Sequence, residues 1–168
     1  MTPQLLDTLA PAAPFAALVI VAALKDLTTF TIPNWISAAL VLAFAPAALV
    51  ARAPLAEIGL DVALAIAVFA LAAAMFALGW VGGGDAKLMA AASLWLGLKG
   101  LAPFALFTGL AGGVLALGLL ALRTAWLRPI AEAGPAWTRR LATPGESAPY
   151  GVAIALGALA AFAVHPLA

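Results

Sequence analysis

Two aspartates, Asp26 and Asp85, stand out in a chain that is 66% hydrophobic and only 9% charged. Asp26 ends a long apolar run, and Asp85 follows three glycines and opens another. A carboxylate costs about 3 kcal/mol at the centre of a membrane helix and less toward its ends, so each of these acids needs an explanation. If the two meet, one can take a proton from water while the other donates a proton to a carbonyl, as aspartic proteolysis requires.

The composition predicts that lipid solvates most of this chain. Its mean hydropathy is +1.15, and soluble chains are roughly a quarter charged. The net charge of +1 offers no basic field for nucleic acid. Cysteine is absent and His165 is the single histidine, which excludes disulfides, thiol catalysis and cysteine-ligated zinc. No metal site and no cofactor are therefore expected.

The apolar segments predict an all-α, polytopic membrane bundle in a single domain over residues 1–168. Continuous Ala- and Leu-rich runs without a period of two favour helices, because an open sheet would leave backbone groups unpaired in lipid. The first segment carries no positive charge before it, so we interpret it as a mature helix and not as a cleaved signal. We interpret Gly109 and Gly113 as sites of close helix packing. Six helices are predicted, over residues 14–25, 35–50, 58–78, 85–98, 101–122 and 150–164.

The basic residues indicate which ends of the helices face the cytoplasm. Arg52 and Lys99 lie near the second and fourth connections, and six others lie near the odd-numbered ones: Lys25, Lys87, Arg123, Arg128, Arg139 and Arg140. The positive-inside rule then places the odd connections in the cytoplasm and both termini outside. Both aspartates fall at the cytoplasmic end.

Two further expectations follow from this orientation. Residues 123–149 form a cytoplasmic loop that meets anionic head groups or helps to grip a substrate. Trp35, Trp80 and Trp126 lie at the cytoplasmic interface and Trp95 lies at the opposite one, as membrane-belt tryptophans do.

Several polar residues admit two interpretations. Gly82, Gly83 and Gly84 either let a substrate backbone approach Asp85 or form a turn before a helix that Asp85 caps. Lys87 pairs with a carboxylate or with a lipid phosphate. The remaining features have ordinary explanations: helix-start chemistry for Pro33 and Asn34, a helix-start or snorkelling carboxylate for Asp61, and a solvated position for His165.

Three stretches of this chain resemble the type IV prepilin peptidase family of membrane aspartic proteases. The first is Asp26 followed by Ile32-Pro33-Asn34. The second is Gly82-Gly83-Gly84-Asp85-Ala86-Lys87, which fits that family's Gly-x-Gly-Asp-x-Lys pattern. The third is Pro149-Tyr150-Gly151, which is similar to the segment that opens the family's last helix.

The resemblance implies an endopeptidase of the bacterial inner membrane. It would cleave the leader of prepilins or pseudopilins on the cytoplasmic side, just before their hydrophobic helix. Asp26 and Asp85 match the family's catalytic aspartates. The residues implied to bind substrate or shape the site are Gly82, Gly83, Gly84, Lys87, Pro33, Asn34, Pro149 and Tyr150.

The chain also departs from the family. Many members carry a cytoplasmic segment with paired cysteines, for which this chain has neither cysteine nor room. It resembles the short branch that serves Flp/Tad-type pili, and N-methylation of the new amino terminus with S-adenosylmethionine is not predicted. Relatives often have arginine between the first aspartate and the Ile-Pro-Asn stretch. Here residues 27–31 are Leu-Thr-Thr-Phe-Thr, so no basic grip is expected from that stretch.

Two other functions are compatible with a pair of aspartates in a small membrane helix bundle. In a proton-coupled transporter the acids would form a relay, but relay acids usually lie near the midplane, between repeats. Both acids here are expected at one end, and no repeat is evident. A non-catalytic scaffold of a pilus or secretion machine predicts that replacing either aspartate by asparagine is silent.

Overall fold

A computed structural model describes residues 3–165, with side chains from residue 12 onward, and every regular element in that range is a helix. The all-α prediction is therefore confirmed. The chain ends lie outside the described residues, so the external position of the termini stays a prediction. The helices are α1 Pro3–Thr29, α2 Asn34–Val50, α3 Leu55–Ala77, α4 Gly83–Leu122, α5 Arg128–Glu132, α6 Ala136–Ala142 and α7 Tyr150–Val164.

Three helices of the described chain are long and apolar enough to cross a membrane. They are α3, α4 and the part of α1 over Ala12–Thr29. The apolar helices α2 and α7 are shorter, with 17 and 15 residues. These lengths and compositions fit a membrane protein. The predicted number of six crossings stays a prediction.

The predicted fourth and fifth helices, over residues 85–98 and 101–122, correspond to the two parts of α4, which is broken at Gly97. There φ is 58° and ψ is −171°, a conformation that glycine adopts without a Cβ clash. Asp61 of α3 lies against this break, since an added Cβ at Gly97 would stand 2.7 Å from its Oδ1. Asp61 therefore packs beside the break in α4 and does not sit at the start of α3.

Helix α4 is the centre of the bundle. Its first half, residues 83–96, is largely buried against α2 and α3, and its second half packs along α7. Helix α1 packs on α2 and α7. Helix α3 rests on α4 and scarcely touches any other helix of the described range, and Ala72 is its one fully buried residue there. Much of α3 therefore faces outward.

Trp95 lies in the core, so its predicted position at the external interface was wrong. Its side chain is 1% exposed, and its ring packs on Phe15 and Phe44 with centroids 5.3 and 5.8 Å away. The indole Nε1–H donates to the Leu40 carbonyl at 2.9 Å, which satisfies the buried donor. Trp95 is buried because it lies on the part of α4 that other helices surround.

The other three tryptophans of the predicted belt are exposed. Trp35, Trp80 and Trp126 are 54%, 72% and 89% exposed, which suits side chains at a membrane interface.

The interpretation of Gly109 and Gly113 as packing sites was also wrong. A Cβ added at either would have no neighbour within 4 Å. The close approach is at Gly157 of α7, where an added Cβ would overlap Thr108 Oγ1 and stand 2.6 Å from the Thr108 backbone nitrogen. Close helix packing therefore occurs, but through a different glycine.

The segment over residues 123–149 contains two short helices, α5 and α6, and is tied to the end of α4. Arg123 Nε donates to the Leu141 carbonyl at 3.0 Å, and its terminal nitrogen donates to the Glu146 carbonyl at 2.9 Å. The arginine at the end of α4 thus holds this segment against the bundle.

We expect Trp95→Ala to destabilise the fold strongly, because it removes a buried ring and leaves a cavity. The cost should be about 3–5 kcal/mol. Trp80→Ala, at an exposed position, is the matched control and should change stability by less than about 0.5 kcal/mol in detergent. Thermal unfolding of the purified variants measures both, and equal losses would contradict the core position of Trp95.

Candidate functional site

Asp26 lies near the end of α1 and is held by the start of α7. Its side chain is 6% exposed. The backbone N–H of Gly151 donates to Asp26 Oδ2 at 2.7 Å. Gly151 is in the first turn of α7, where backbone N–H groups lack a partner within the helix and the helix dipole favours negative charge. The last helix therefore supplies the donor that the buried acid needs.

Gly151 leaves no room for a side chain. An added Cβ would stand 2.8 Å from Asp26 Oδ2 and 2.6 Å from Ile32 Cδ1. Pro149 is buried beside it, whereas Tyr150 is 47% exposed and lies near Gly112 of α4. The sequence pointed to Pro149 and Tyr150 as site residues, but the residue of that stretch in contact with the acid is Gly151.

Asp85 lies in the first turn of α4, three residues after Gly82, the N-cap residue. Its carboxyl lies beside the Gly82 backbone N–H, and a Cβ added at Gly82 would stand 2.9 Å from Asp85 Oδ2. A carboxylate that reaches back from the third helical position to the N-cap is the arrangement of a capping box. Asp85 therefore has the geometry of a helix cap, which also restrains where its carboxyl can point.

The two acids line one cavity of about 280 Å³. Pro33, Asn34, Lys87, Pro149 and Tyr150 are not among the lining residues, which are Asp26, Phe30, Thr31, Ile32, Gly82, Gly83, Gly84 and Asp85.

The glycines at the cavity also let helix α4 approach its neighbours. A Cβ added at Gly84 would stand 3.0 Å from Ile32 Cβ, in the connection between α1 and α2. One added at Gly83 would stand 3.3 Å from the Phe76 ring of α3. The small residues therefore allow the first turn of α4 to bring Asp85 toward Asp26.

Phe30 lines the edge of this cavity, and its ring contacts a basic side chain. Phe30 follows the last residue of α1, and its φ of 56° together with the bond from its N–H to the Asp26 carbonyl at 2.8 Å forms a left-handed helix end. The Arg140 guanidinium of α6 lies 4.3 Å from the ring centroid, a cation–π contact. Arg140 also reaches Glu146, with 3.4 Å between nitrogen and Oε2.

No pattern in the sequence pointed to Arg140 as a neighbour of the site. Residues 27–31 lack a basic residue, and the guanidinium at the cavity edge comes from the segment over residues 123–149. Phe30 and Arg140 are far apart in the chain, so their contact depends on how the helices pack. The spacing of residues within either segment does not predict it.

Lys87 and Asn34 face away from the aspartates. Lys87 Nζ donates to Asn34 Oδ1 at 2.8 Å, so its partner among the described residues is an amide and not a carboxylate. Pro33 is the N-cap residue of α2, with φ −62° and ψ 139°. Residues two apart on a helix point in different directions, so Lys87 lies on the other side of the first turn of α4 from Asp85.

Comparison with known proteins identifies a family for this chain. The sequence model of the type IV leader peptidase family matches residues 13–117, more than half of the chain. That range includes both aspartates and the three glycines and ends before α5. No curated protein and no solved structure matches the chain.

We expect Gly151→Ala to destabilise the protein by about 1–3 kcal/mol, since the added methyl group must displace Asp26 or Ile32. Gly109→Ala is the control, because nothing lies within 4 Å of its added Cβ. It should leave stability unchanged or raise it by up to about 1 kcal/mol, as alanine is the better helix former. Thermal unfolding in detergent compares the two, and an equal response would contradict the close contact at Gly151.

Proposed function

This chain belongs to the type IV leader peptidase family, and we propose that it is an aspartic endopeptidase that removes the leader of prepilins. The observation that carries the proposal is the cavity shared by Asp26 and Asp85. Each carboxyl lies at the N-terminus of a helix, Asp26 at α7 and Asp85 at α4. Such ends supply backbone donors that hold a carboxylate in place.

In the proposed reaction the two acids share one proton. The ionised carboxylate takes a proton from a water molecule, whose oxygen attacks the carbonyl carbon of the scissile peptide. The protonated acid donates its proton to the carbonyl oxygen. The tetrahedral intermediate then breaks its C–N bond, and the leaving amine takes up the proton that the first carboxylate had accepted. As the carbonyl re-forms, a hydroxyl group of the intermediate returns its proton to the second carboxylate. The acids end as they began, with one proton between them.

The proposed substrate is a Flp-type prepilin with a short basic leader and an apolar helix. We place its cleavage at the cytoplasmic face of the bacterial inner membrane. Support for this orientation comes from Arg140, which lies over the Phe30 ring at the cavity edge. The arginine-rich segment thus stands at the same end of the bundle as the aspartates. By the positive-inside rule, that end is cytoplasmic.

A proton-coupled transporter fits the geometry less well. Its relay acids would lie near the midplane, between structural repeats. Asp26 is instead close to the end of α1, and Asp85 is in the first turn of α4. Asp61 lies beside the break of α4 at Gly97, away from the ends of α1 and α4 that carry the other two acids. It does not line the aspartate cavity.

We expect Asp26→Asn and Asp85→Asn each to reduce leader removal by roughly a thousandfold or more, since neither amide can exchange the required proton. Asp61→Asn is the matched control, because it removes an acid from a membrane helix without touching the cavity. It should process substrate within about twofold of the parent rate. Co-expression with a Flp-type prepilin and the pilin's size on a gel give the measurement.

Normal processing by either cavity variant would overturn the aspartic mechanism. If no variant and not even the parent chain cleaved any prepilin offered, the scaffold interpretation would replace the peptidase. Comparable membrane levels of the three variants, measured by immunoblot, show that a loss of processing is not a loss of protein.

A further inference from the structure

The start of α4 forms one wall of the aspartate cavity and presents backbone N–H groups to it. Gly82 is the N-cap residue, Gly83 and Gly84 follow in the first helical turn, and all three line the cavity. The first N–H groups of a helix have no acceptor within the helix. Neither the Gly83 nor the Gly84 N–H donates to a backbone carbonyl of the described chain. This wall therefore offers hydrogen-bond donors to a group that enters the cavity.

A glycine at the N-cap leaves these donors without a side-chain acceptor. At many helix starts a serine, threonine or aspartate N-cap accepts from the N–H two or three residues on. Gly82 has no such group, and α4 begins without a side-chain cap bond. A larger N-cap residue would be crowded, because its Cβ would stand 2.9 Å from Asp85 Oδ2. The position of the Asp85 carboxyl thus disfavours a side-chain cap at residue 82.

The Asp26 carboxyl, which comes from a different helix, is independent support for a polar ligand in this cavity. Its side chain is 6% exposed and lines the same cavity. The Gly151 N–H donates to its Oδ2. A carboxylate can accept about four hydrogen bonds, so this bond leaves capacity for a partner inside the cavity. A peptide group attacked by water between the two acids would bring its carbonyl oxygen to the same place.

We propose that the Gly83 N–H donates a hydrogen bond to the carbonyl oxygen of the scissile peptide as water attacks it. The proposal rests on the proposed peptidase function and makes Gly83 a catalytic residue through its backbone. A carbonyl oxygen has two acceptor sites. The protonated acid uses one of them, and the N–H uses the other. The N–H proton stays on its nitrogen, so the proton balance of the reaction is unchanged.

The hydrogen bond would be strongest in the transition state. Negative charge grows on the carbonyl oxygen before the proton of the acid has fully moved to it. A donor fixed at a helix start stabilises that charge without having to reorient. The same donor gives less to the uncharged carbonyl of the bound substrate. Its main effect is therefore expected on kcat and not on KM.

Gly83 is better placed for this role than Gly84. It is the first residue of α4, so its N–H is the outermost of the helical ones. Ile32 lies against Gly84, with its carbonyl oxygen 3.3 Å from an added Cβ. A Cβ added at Gly83 meets the Phe76 ring at 3.3 Å, and Phe76 is 55% exposed. That ring has room to move, so residue 83 can be substituted.

Replacing Gly83 by proline removes this N–H, whereas replacing it by alanine keeps it. Proline is favoured at the first helical position. Gly82 before it has φ −69° and ψ 145°, the region that a residue before proline prefers. Gly83→Ala brings the same Cβ toward Phe76 and is the matched control. We expect kcat for a Flp-type prepilin to be about a hundredfold lower with Gly83→Pro than with Gly83→Ala, and KM to agree within about twofold.

Two further measurements separate the lost donor from the bulk of the proline ring. In an Asp85→Asn background the prepilin stays uncleaved, and it should copurify equally with the proline and alanine variants. An ester bond before residue 83, made by cell-free synthesis with glycolic acid in place of Gly83, removes the N–H without adding a side chain. It should reproduce the loss of kcat relative to the all-amide chain made in the same way. The ester chain decides the result if the proline variant does not fold or does not bind prepilin.

The outcomes distinguish this proposal from the proposed function. Equal kcat for the proline and alanine variants, or an ester chain that cleaves at the parent rate, would overturn the role of the Gly83 N–H and leave the peptidase standing. A higher KM with an unchanged kcat has the same meaning, because the proposed bond acts in the transition state. If the parent chain cleaves no prepilin, the peptidase proposal fails and the role of Gly83 fails with it.

Discussion

The hydrogen bond from the Gly151 N–H to the Asp26 carboxylate joins the first and last long helices of this bundle. It satisfies an acid whose burial would otherwise be costly. It also restricts the sequence, because a Cβ at residue 151 would collide with both Asp26 and Ile32. Ile32 in turn packs on Gly84, which opens the helix that carries Asp85. The positions of both acids thus depend on one close approach among α1, α4 and α7.

Both acids lie at the starts of helices in a chain that has few polar side chains. The Gly151 N–H at the start of α7 donates to Asp26, and the Asp85 carboxyl lies against Gly82, the N-cap residue of α4. Because helix ends carry the unpaired N–H groups, such a site forms where helices begin, near the membrane surface and within reach of water. The proposed hydrolysis needs that water. The geometry therefore connects the way the acids are held with the reaction that we propose.

The first turn of α4 separates two recesses of different character. Asp85 faces a small cavity with the other acid, and Lys87 faces a large apolar groove. The groove exists because α3 rests on α4 and leaves a gap to α2.

The sequence by itself determined the helical class, since continuous apolar runs admit no other fold in lipid. Together with the basic residues, it also predicted that Asp26 and Asp85 lie at one end of the bundle, where the structure has them in one cavity. Their catalytic role stays a prediction. Tertiary structure alone decided that Trp95 is in the core and that Gly157 rather than Gly109 is a close contact. The physical reason is that hydropathy separates apolar from polar surroundings but not lipid from a neighbouring helix, since both are apolar. Contacts such as Gly151 with Asp26 and Arg140 with Phe30 join distant segments, and only packing brings those together.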